Sequence, residues 1–144
     1  MSTDLITFIT MVIIGILFNP MNALAYKLNH LYLSLTLFYG GLLMASNMIW
    51  AHELIHYISM GHINIKTFII GILLSIIIVL VLLRNQLFVN DNEYLKRMIS
   101  HHSTALTTSY IINKKTKDKK IKELSSNIIN TQLKEIEIMK NLLK

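Results

Sequence analysis

The chain has 144 residues, of which 53% are hydrophobic, and its mean hydropathy is +0.49. Its formal net charge is +6 and it contains no cysteine, which excludes disulfides, thiolate metal sites and cysteine nucleophiles. The charge is distributed unevenly. Between Leu5 and Leu83 only Lys27, Glu53 and Lys66 are charged, and most other charges follow Leu83. This asymmetry predicts one half embedded in a bilayer and one aqueous half.

Three hydrophobic segments are predicted as transmembrane helices, at about residues 5–26, 31–58 and 67–84. The apolar run of the first is short for a span of about 20 residues, and Pro20 is expected to kink it. The second is long enough to cross with tilt, and the third carries no charge before Arg84. Residues 1–85 are therefore predicted to be the membrane region of an all-α, multi-pass integral membrane protein.

An odd number of spans places the two ends of the chain on opposite sides of the membrane. The short loops offer only Lys27 on one side and Lys66 on the other, so the positive-inside rule does not decide on which side the C-terminal tail lies.

Residues 86–144 are predicted to form a soluble helical hairpin. Its first helix is expected from Asp91 to about Asn113, and its second from about Lys119 to the end, because apolar residues recur there at spacings of three and four. The expected buried stripes are Tyr94, Met98, His101, Ala105, Thr108 and Ile112, and then Ile121, Leu124, Ile128, Gln132, Glu135, Met139 and Leu142. Two helices bury little surface, so a four-helix arrangement completed by dimerisation or packing is expected.

The lysine-rich stretch from Lys114 to Lys122 joins the two predicted helices. Such a run attracts anionic partners through unspecific electrostatics, or is simply a solvated loop. No aromatic residues interleave with the lysines to stack on bases, so nucleic-acid binding is not predicted as the main function.

Folding this hairpin brings several side chains with lone pairs to one level of the apolar seam. They are Met98, His101, His102, Gln132, Glu135 and Met139. Two imidazoles and a carboxylate suit zinc, copper(II) or iron, and thioether sulfur favours copper. The alternative is a buried His–Glu hydrogen bond that sets the helix register. Because His101 and His102 point about 100° apart, at most one faces the seam, which leaves the other for a dimer partner.

Two motifs, Met-x-x-His-His at residues 98–102 and Gln-x-x-Glu-Ile-x-x-Met at residues 132–139, resemble the ferritin-like family of unknown function numbered 305. The resemblance implies a ferritin-like hairpin and, because some members are implicated in copper binding, a metal site at these residues. A membrane-anchored branch of that family carries three hydrophobic segments ahead of the hairpin. This chain departs from the family at Ser100, where many members have proline, and at Thr107 or Thr108, where many have methionine.

A second motif, His52-Glu53-Leu54-Ile55-His56, matches the H-E-x-x-H pattern of zinc proteases, and His62 stands at the spacing of a third ligand. The extended pattern wants glycine at position 59, which is serine here, and membrane-embedded proteases need a further carboxylate that the following segment lacks. A non-catalytic metal site at His52, His56 and His62 is one interpretation. The other is a polar helix end at the membrane interface.

The sequence therefore predicts a membrane-anchored metal-binding protein without catalysis, with copper as the first choice and zinc as the alternative. A structural membrane subunit whose hairpin contacts a larger assembly is the second hypothesis, and a zinc-dependent membrane hydrolase is the third. The expected partners are the lipid bilayer and either a second copy or a membrane complex.

Overall fold

The computed structural model describes residues 3–143, and this range is helical with no strand, which confirms the predicted all-α class. The helices are α1 (Thr3–Leu17), α2 (Pro20–Ala23), α3 (Leu35–Met60), α4 (Ile65–Ile77), α5 (Asp91–Lys115) and α6 (Lys119–Leu142). A π-helical stretch, Ile78–Leu83, prolongs α4. The chain forms two compact units: unit 1 comprises the chain up to Phe18 and residues 35–88, and unit 2 comprises residues 19–34 and the chain from Val89 onward.

Only two of the three predicted hydrophobic spans are supported by the length and composition of the helices. Within the described residues only two helical stretches, Leu5–Ala23 and Ile65–Leu83, are long and apolar enough to cross a membrane by length and composition. Helix α3 has sufficient length but fails on composition, because its second half carries Asn47, His52 and Glu53. The sequence also assigns residues 19–34 to the membrane region, whereas the structure packs them with the hairpin in unit 2.

Side-chain caps explain where the helices begin. Asn19 accepts a hydrogen bond from the Asn22 amide, and Pro20 at the first helical position starts the separate helix α2 instead of kinking one continuous helix. Asn90 caps α5 by accepting from the Glu93 amide, so the cap lies one residue before the expected Asp91.

In unit 1, helix α3 packs against both α1 and α4 through small residues. A methyl group added to Gly15 would lie 2.9 Å from the Gly41 Cα, so the backbones of α1 and α3 approach closely. On the other side of α3, the Ser46 and Ser75 hydroxyls are 2.9 Å apart and buried. Close approach at small residues and hydroxyl pairs between helices are typical of packing in membranes, where apolar burial gives little drive to associate.

In unit 2, α5 and α6 form the expected hairpin around a short turn, where Asp118 caps α6. The core consists of Ile99, Leu106, Ile129, Ile136 and Met139, with Tyr32 packed against it. Of the expected stripes only Met139 is fully buried. Five other members are half-buried, namely Met98, Ala105, Ile128, Gln132 and Glu135, and the remaining members are exposed. The reason is that residues 19–34 cover a second side of α5, which rotates its buried arc away from the stripe expected for an isolated hairpin.

The two adjacent glycines of α3 provide a test of this packing. A methyl group at Gly41 would meet the Val12 carbonyl oxygen at 2.8 Å, whereas one at Gly40 would meet nothing within 4 Å. We expect Gly41→Ala to lower the free energy of unfolding by about 1–3 kcal/mol through overpacking against backbone. Gly40→Ala is the matched control and should be neutral or stabilising by up to about 1 kcal/mol, since alanine favours the helix. Thermal unfolding in detergent measures both, and equal effects would contradict the close approach.

Candidate functional site

Two of the predicted ligands meet in the hairpin. The His102 Nδ1 lies 3.1 Å from Glu135 Oε2, across the seam between α5 and α6. This nitrogen is buried, yet within the described part of the chain it makes no hydrogen bond of acceptable geometry, although the distance to the carboxylate is short enough for one. A buried polar atom without a hydrogen bond is unusual and calls for an explanation. It therefore marks this position as the candidate site.

The electrostatic surroundings keep the His102 imidazole neutral. Burial lowers the pKa of His102 most strongly; Glu135 acts in the opposite direction, and His101 adds to the lowering. A neutral imidazole has a free lone pair, which is the form that coordinates a metal. Because a neutral imidazole carries no charge, the contact with Glu135 is not a simple ion pair.

The other predicted ligands are arranged around this pair in different ways. The Gln132 amide nitrogen donates a long hydrogen bond of 3.4 Å to the Glu135 carboxylate. Met139 is buried in the core and Met98 packs against it. His101 is exposed, with its ring centroid 6.0 Å from that of His102. The structure thus brings His102, Glu135 and Gln132 together and leaves His101 outside the seam.

The geometry of the pair fits two donors of one metal ion. Atoms each about 2.0–2.2 Å from a common ion lie roughly 2.9–3.5 Å apart in octahedral to tetrahedral arrangements, and the observed separation is within that range. The pair alone does not complete a site. Among residues 3–143 no group of three or more His, Asp or Glu side chains is placed to hold an ion.

The segment between α1 and α3 is attached to α5 by hydrogen bonds that sequence reasoning missed. The Tyr26 amide donates to Ser103 Oγ at 2.8 Å, and the Ser103 oxygen lies 3.0 Å from His30 Nδ1. The Ser103 hydroxyl has two lone pairs and one proton, so it can accept from Tyr26 and still bond to His30 Nδ1 in either tautomer of the imidazole. The Ser100 hydroxyl donates to the His30 carbonyl at 2.9 Å. The serine that departs from the family pattern at position 100 thus has a structural role.

An aromatic stack and nearby positive charges also lie at the contact between residues 19–34 and α5. The rings of Tyr26 and Tyr110 stack with centroids 5.0 Å apart. His30 is 5% exposed, and burial is the main cause that lowers its pKa, followed by the positive charges of Lys140 and Lys27. A short loop with one buried histidine gave no periodic signal. Of its two serine partners on α5, only Ser100 stood out in the sequence, as a departure from the family pattern.

The H-E-x-x-H motif lies at the C-terminal end of α3, in unit 1. The ring centroids of His52 and His56 are 6.3 Å apart, and those of His56 and His62 are 4.3 Å apart. The Glu53 carboxylate accepts a hydrogen bond from the Asn64 amide at 3.0 Å, so it holds the turn between α3 and α4. The histidines do cluster, and Glu53 both bonds the backbone of this turn and lines, with His52, a cleft of about 600 Å³.

Comparisons with known proteins give two findings. Residues 91–144 match the family described as "Domain of unknown function (DUF305)", which supports the predicted resemblance over the hairpin. The chain is 37% identical over 126 residues to the uncharacterized protein L153 of Acanthamoeba polyphaga mimivirus, covering 87% of this chain and 81% of that protein. No solved structure matches the chain.

Unfolding at different pH tests the buried histidines. The pKa values of His30 and His102 are both lowered in the folded chain, so each takes up a proton on unfolding below its ordinary pKa of 6.5. We therefore expect the free energy of unfolding to be constant above about pH 7 and to fall as the pH drops toward 5.5, by up to about 1.4 kcal/mol per pH unit for each histidine. Guanidinium unfolding followed by circular dichroism measures this slope.

A variant isolates the contribution of His30. His30→Asn keeps an acceptor near the position of Nδ1 but does not titrate, so it should reduce the slope between pH 7 and 5.5. The exposed Asn29 in the same segment does not titrate and offers the control, and Asn29→Gln should leave the slope as it is. A slope that His30→Asn does not change would refute the buried, neutral state of His30.

Proposed function

We propose that the chain is a membrane-anchored metal-binding protein. It belongs to the same family as the mimivirus protein L153, and its residues 91–144 match the DUF305 domain. Its hairpin binds a copper-class ion through His102 and Glu135. The observation that carries the proposal is the buried His102 Nδ1, which lacks a hydrogen bond and faces the Glu135 carboxylate.

The membrane anchor is supported by the composition of unit 1 and by a topological constraint within unit 2. Helices α1 and α4 present large apolar side chains to the outside, for example Ile13 (50% exposed) and Ile70 (60% exposed). Residues 19–34 are hydrogen-bonded to α5, so both parts of unit 2 lie on one side of a membrane. If α4 crosses, the chain between residues 34 and 89 crosses an even number of times. We therefore propose that α3 crosses as well, despite its polar residues, to give three spans.

Polar residues in α3 are compatible with this crossing because the helix is flanked on two sides by α1 and α4. Ser46 is fully buried and hydrogen-bonded to Ser75. Asn47 accepts a hydrogen bond from the Trp50 indole at 3.1 Å. Polar groups within spans that face neighbouring helices, or that lie near the boundary as Glu53 does, are tolerated in membranes.

Copper is preferred to zinc because of the methionines beside the pair. Met98 lies one turn before His102 on α5, and Met139 lies one turn after Glu135 on α6. Since the helices run antiparallel, both thioethers lie toward the same end of the His102–Glu135 pair. Thioether sulfur is a soft ligand that suits copper and contributes little to zinc sites. Thioether sulfur is thus available next to the imidazole and carboxylate ligands of the pair.

A second copy of the chain is the proposed source of the missing donors. One hairpin supplies too few ligands for a closed site, and His101 points outward from it. The hairpin also exposes large apolar side chains, including Leu124 at 59% and Leu142 at 58%. Pairing two hairpins would cover this surface and form the four-helix arrangement implied by the ferritin-like resemblance.

Elemental analysis of the detergent-purified full-length chain tests the metal site. We expect stoichiometric copper or zinc in the native chain, and its loss in His102→Ala and in Glu135→Gln, because each removes one of the two converging donors. Glu137→Gln is the matched control, since this exposed carboxylate is two residues away on the same helix. A native chain without metal would instead favour the structural-subunit hypothesis.

Single cysteines test the topology, and the native chain offers a background without any. We expect Asn29→Cys and Lys117→Cys, both at exposed positions of unit 2, to react with an impermeant maleimide from the same side of sealed vesicles. Ser59→Cys, near the end of α3, should react only from the opposite side. Labelling of all three from one side would mean that α3 does not cross.

A further inference from the structure

A row of sulfur and imidazole side chains runs along α3. Met44, Met48, His52, His56 and Met60 follow one another at intervals of four residues. Residues four apart on a helix are neighbours and form one continuous ridge on its surface. The row is therefore contiguous in space and not merely frequent in sequence.

The row is long enough, and accessible enough, to bind an ion at successive positions along α3. Each step of four residues rises about 6 Å, so the five side chains extend over roughly 24 Å of helix, which compares with a bilayer core about 30 Å thick. Met44, Met48 and Met60 are 39%, 38% and 67% exposed. His52 is exposed and His56 is half-buried. These groups are accessible from the surface of unit 1, and Met44 also packs against Gly15 of α1.

Neighbouring elements add donors at two points. A cleft of about 600 Å³ between α1, α3 and α4 is lined by Met48 and His52 together with Met11 from α1. At the far end of α3, the His62 ring contacts the His56 ring edge to face, with centroids 4.3 Å apart. Thioether and imidazole groups thus meet from more than one element, as a binding site requires.

We propose that this row, with Met11 and His62, binds a soft monovalent metal ion of the copper(I) class and passes it along α3. Thioethers and neutral imidazoles are uncharged ligands that suit copper(I). Transfer from one donor to the next is ligand exchange: one metal–ligand bond forms as another breaks, and no proton or electron moves. The inference concerns unit 1 only and does not depend on the hairpin site.

The residue types favour this reading over packing alone. Leucine would present the same apolar surface to lipid and has a better-defined shape, whereas methionine differs chiefly by its polarisable sulfur. Histidine near a membrane boundary is costly unless it has a partner or a function. The recurrence of these two residue types at one fixed interval is explained by metal coordination.

Silver(I), a redox-silent substitute for copper(I), provides the probe. We would label the full-length chain in lipid nanodiscs with ¹³C at the methionine methyl groups and titrate it with silver(I). The expected result is that the methyl resonances of Met44, Met48 and Met60 shift, while that of Met21, which contacts Arg97 in unit 2, does not. Unshifted resonances of the row methionines at saturating silver would overturn the proposal.

Variants separate this row from the hairpin site. The triple change Met44→Leu, Met48→Leu, Met60→Leu preserves volume, and we expect it to weaken silver binding in unit 1 at least tenfold, as measured by equilibrium dialysis. The matched control, Met98→Leu with Met139→Leu, makes the same chemical change in the hairpin and should leave the shifts of the row methionines unchanged. If the shifts of the row methionines vanish in this control variant, the silver ion is bound by the hairpin, and the proposal of a binding row on α3 is overturned.

Titration with zinc(II) decides between the row and the H-E-x-x-H motif. Thioethers are poor zinc ligands, so the row should respond to silver(I) and show little response of its methyl groups to zinc(II). Tight zinc binding that depends on His52 and His56, together with no silver response of the methionines, would contradict the row and support a histidine-only site.

Discussion

The hydrogen bonds between the α1–α3 connection and α5 are the constraint on which the arrangement of the chain depends. Ser100 and Ser103 on α5 bind the backbone and the imidazole of His30 and the amide of Tyr26. These contacts join segments more than sixty residues apart into one unit. They also determine which side of the hairpin is covered, and therefore which face of it is left exposed.

The bounds of the helices were more predictable from the sequence than the identity of the helix faces that become buried. The helices α5 and α6 follow periodic runs of apolar residues between polar caps, so their bounds were close to those expected. The buried face was misassigned because periodicity reports an amphipathic stripe but not which neighbour covers it. On α5 the neighbour is a loop without periodic signal, and it replaces part of the contact expected from a helix. The second apolar segment, which forms α3, differs from a typical span for another reason, since α3 combines the length of a span with polar side chains.

In the candidate sites, too, some features could be predicted from the sequence and others depend on how the helices are rotated. The pair His102 and Glu135 was predictable because a motif and a simple hairpin register both bring them together, and the distance between them agrees. The exposure of His101 was not predictable, because it depends on the rotation of α5. Along α3, attention to the H-E-x-x-H motif obscured a longer regularity, in which methionines continue the histidine spacing in both directions. A search for any donor type at a fixed helical interval would have found it.

The discontinuity of unit 2 has a consequence for biosynthesis. Chains fold from the N-terminus as they are made, yet the serines that bind residues 19–34 come some seventy residues later. Residues 19–34 therefore lack their hydrogen-bond partners on α5 while α3 and α4 are synthesised. They acquire these partners only after α5 has been made. A chain truncated before α5 lacks Ser100 and Ser103, so residues 19–34 cannot form the hydrogen bonds that hold them in unit 2.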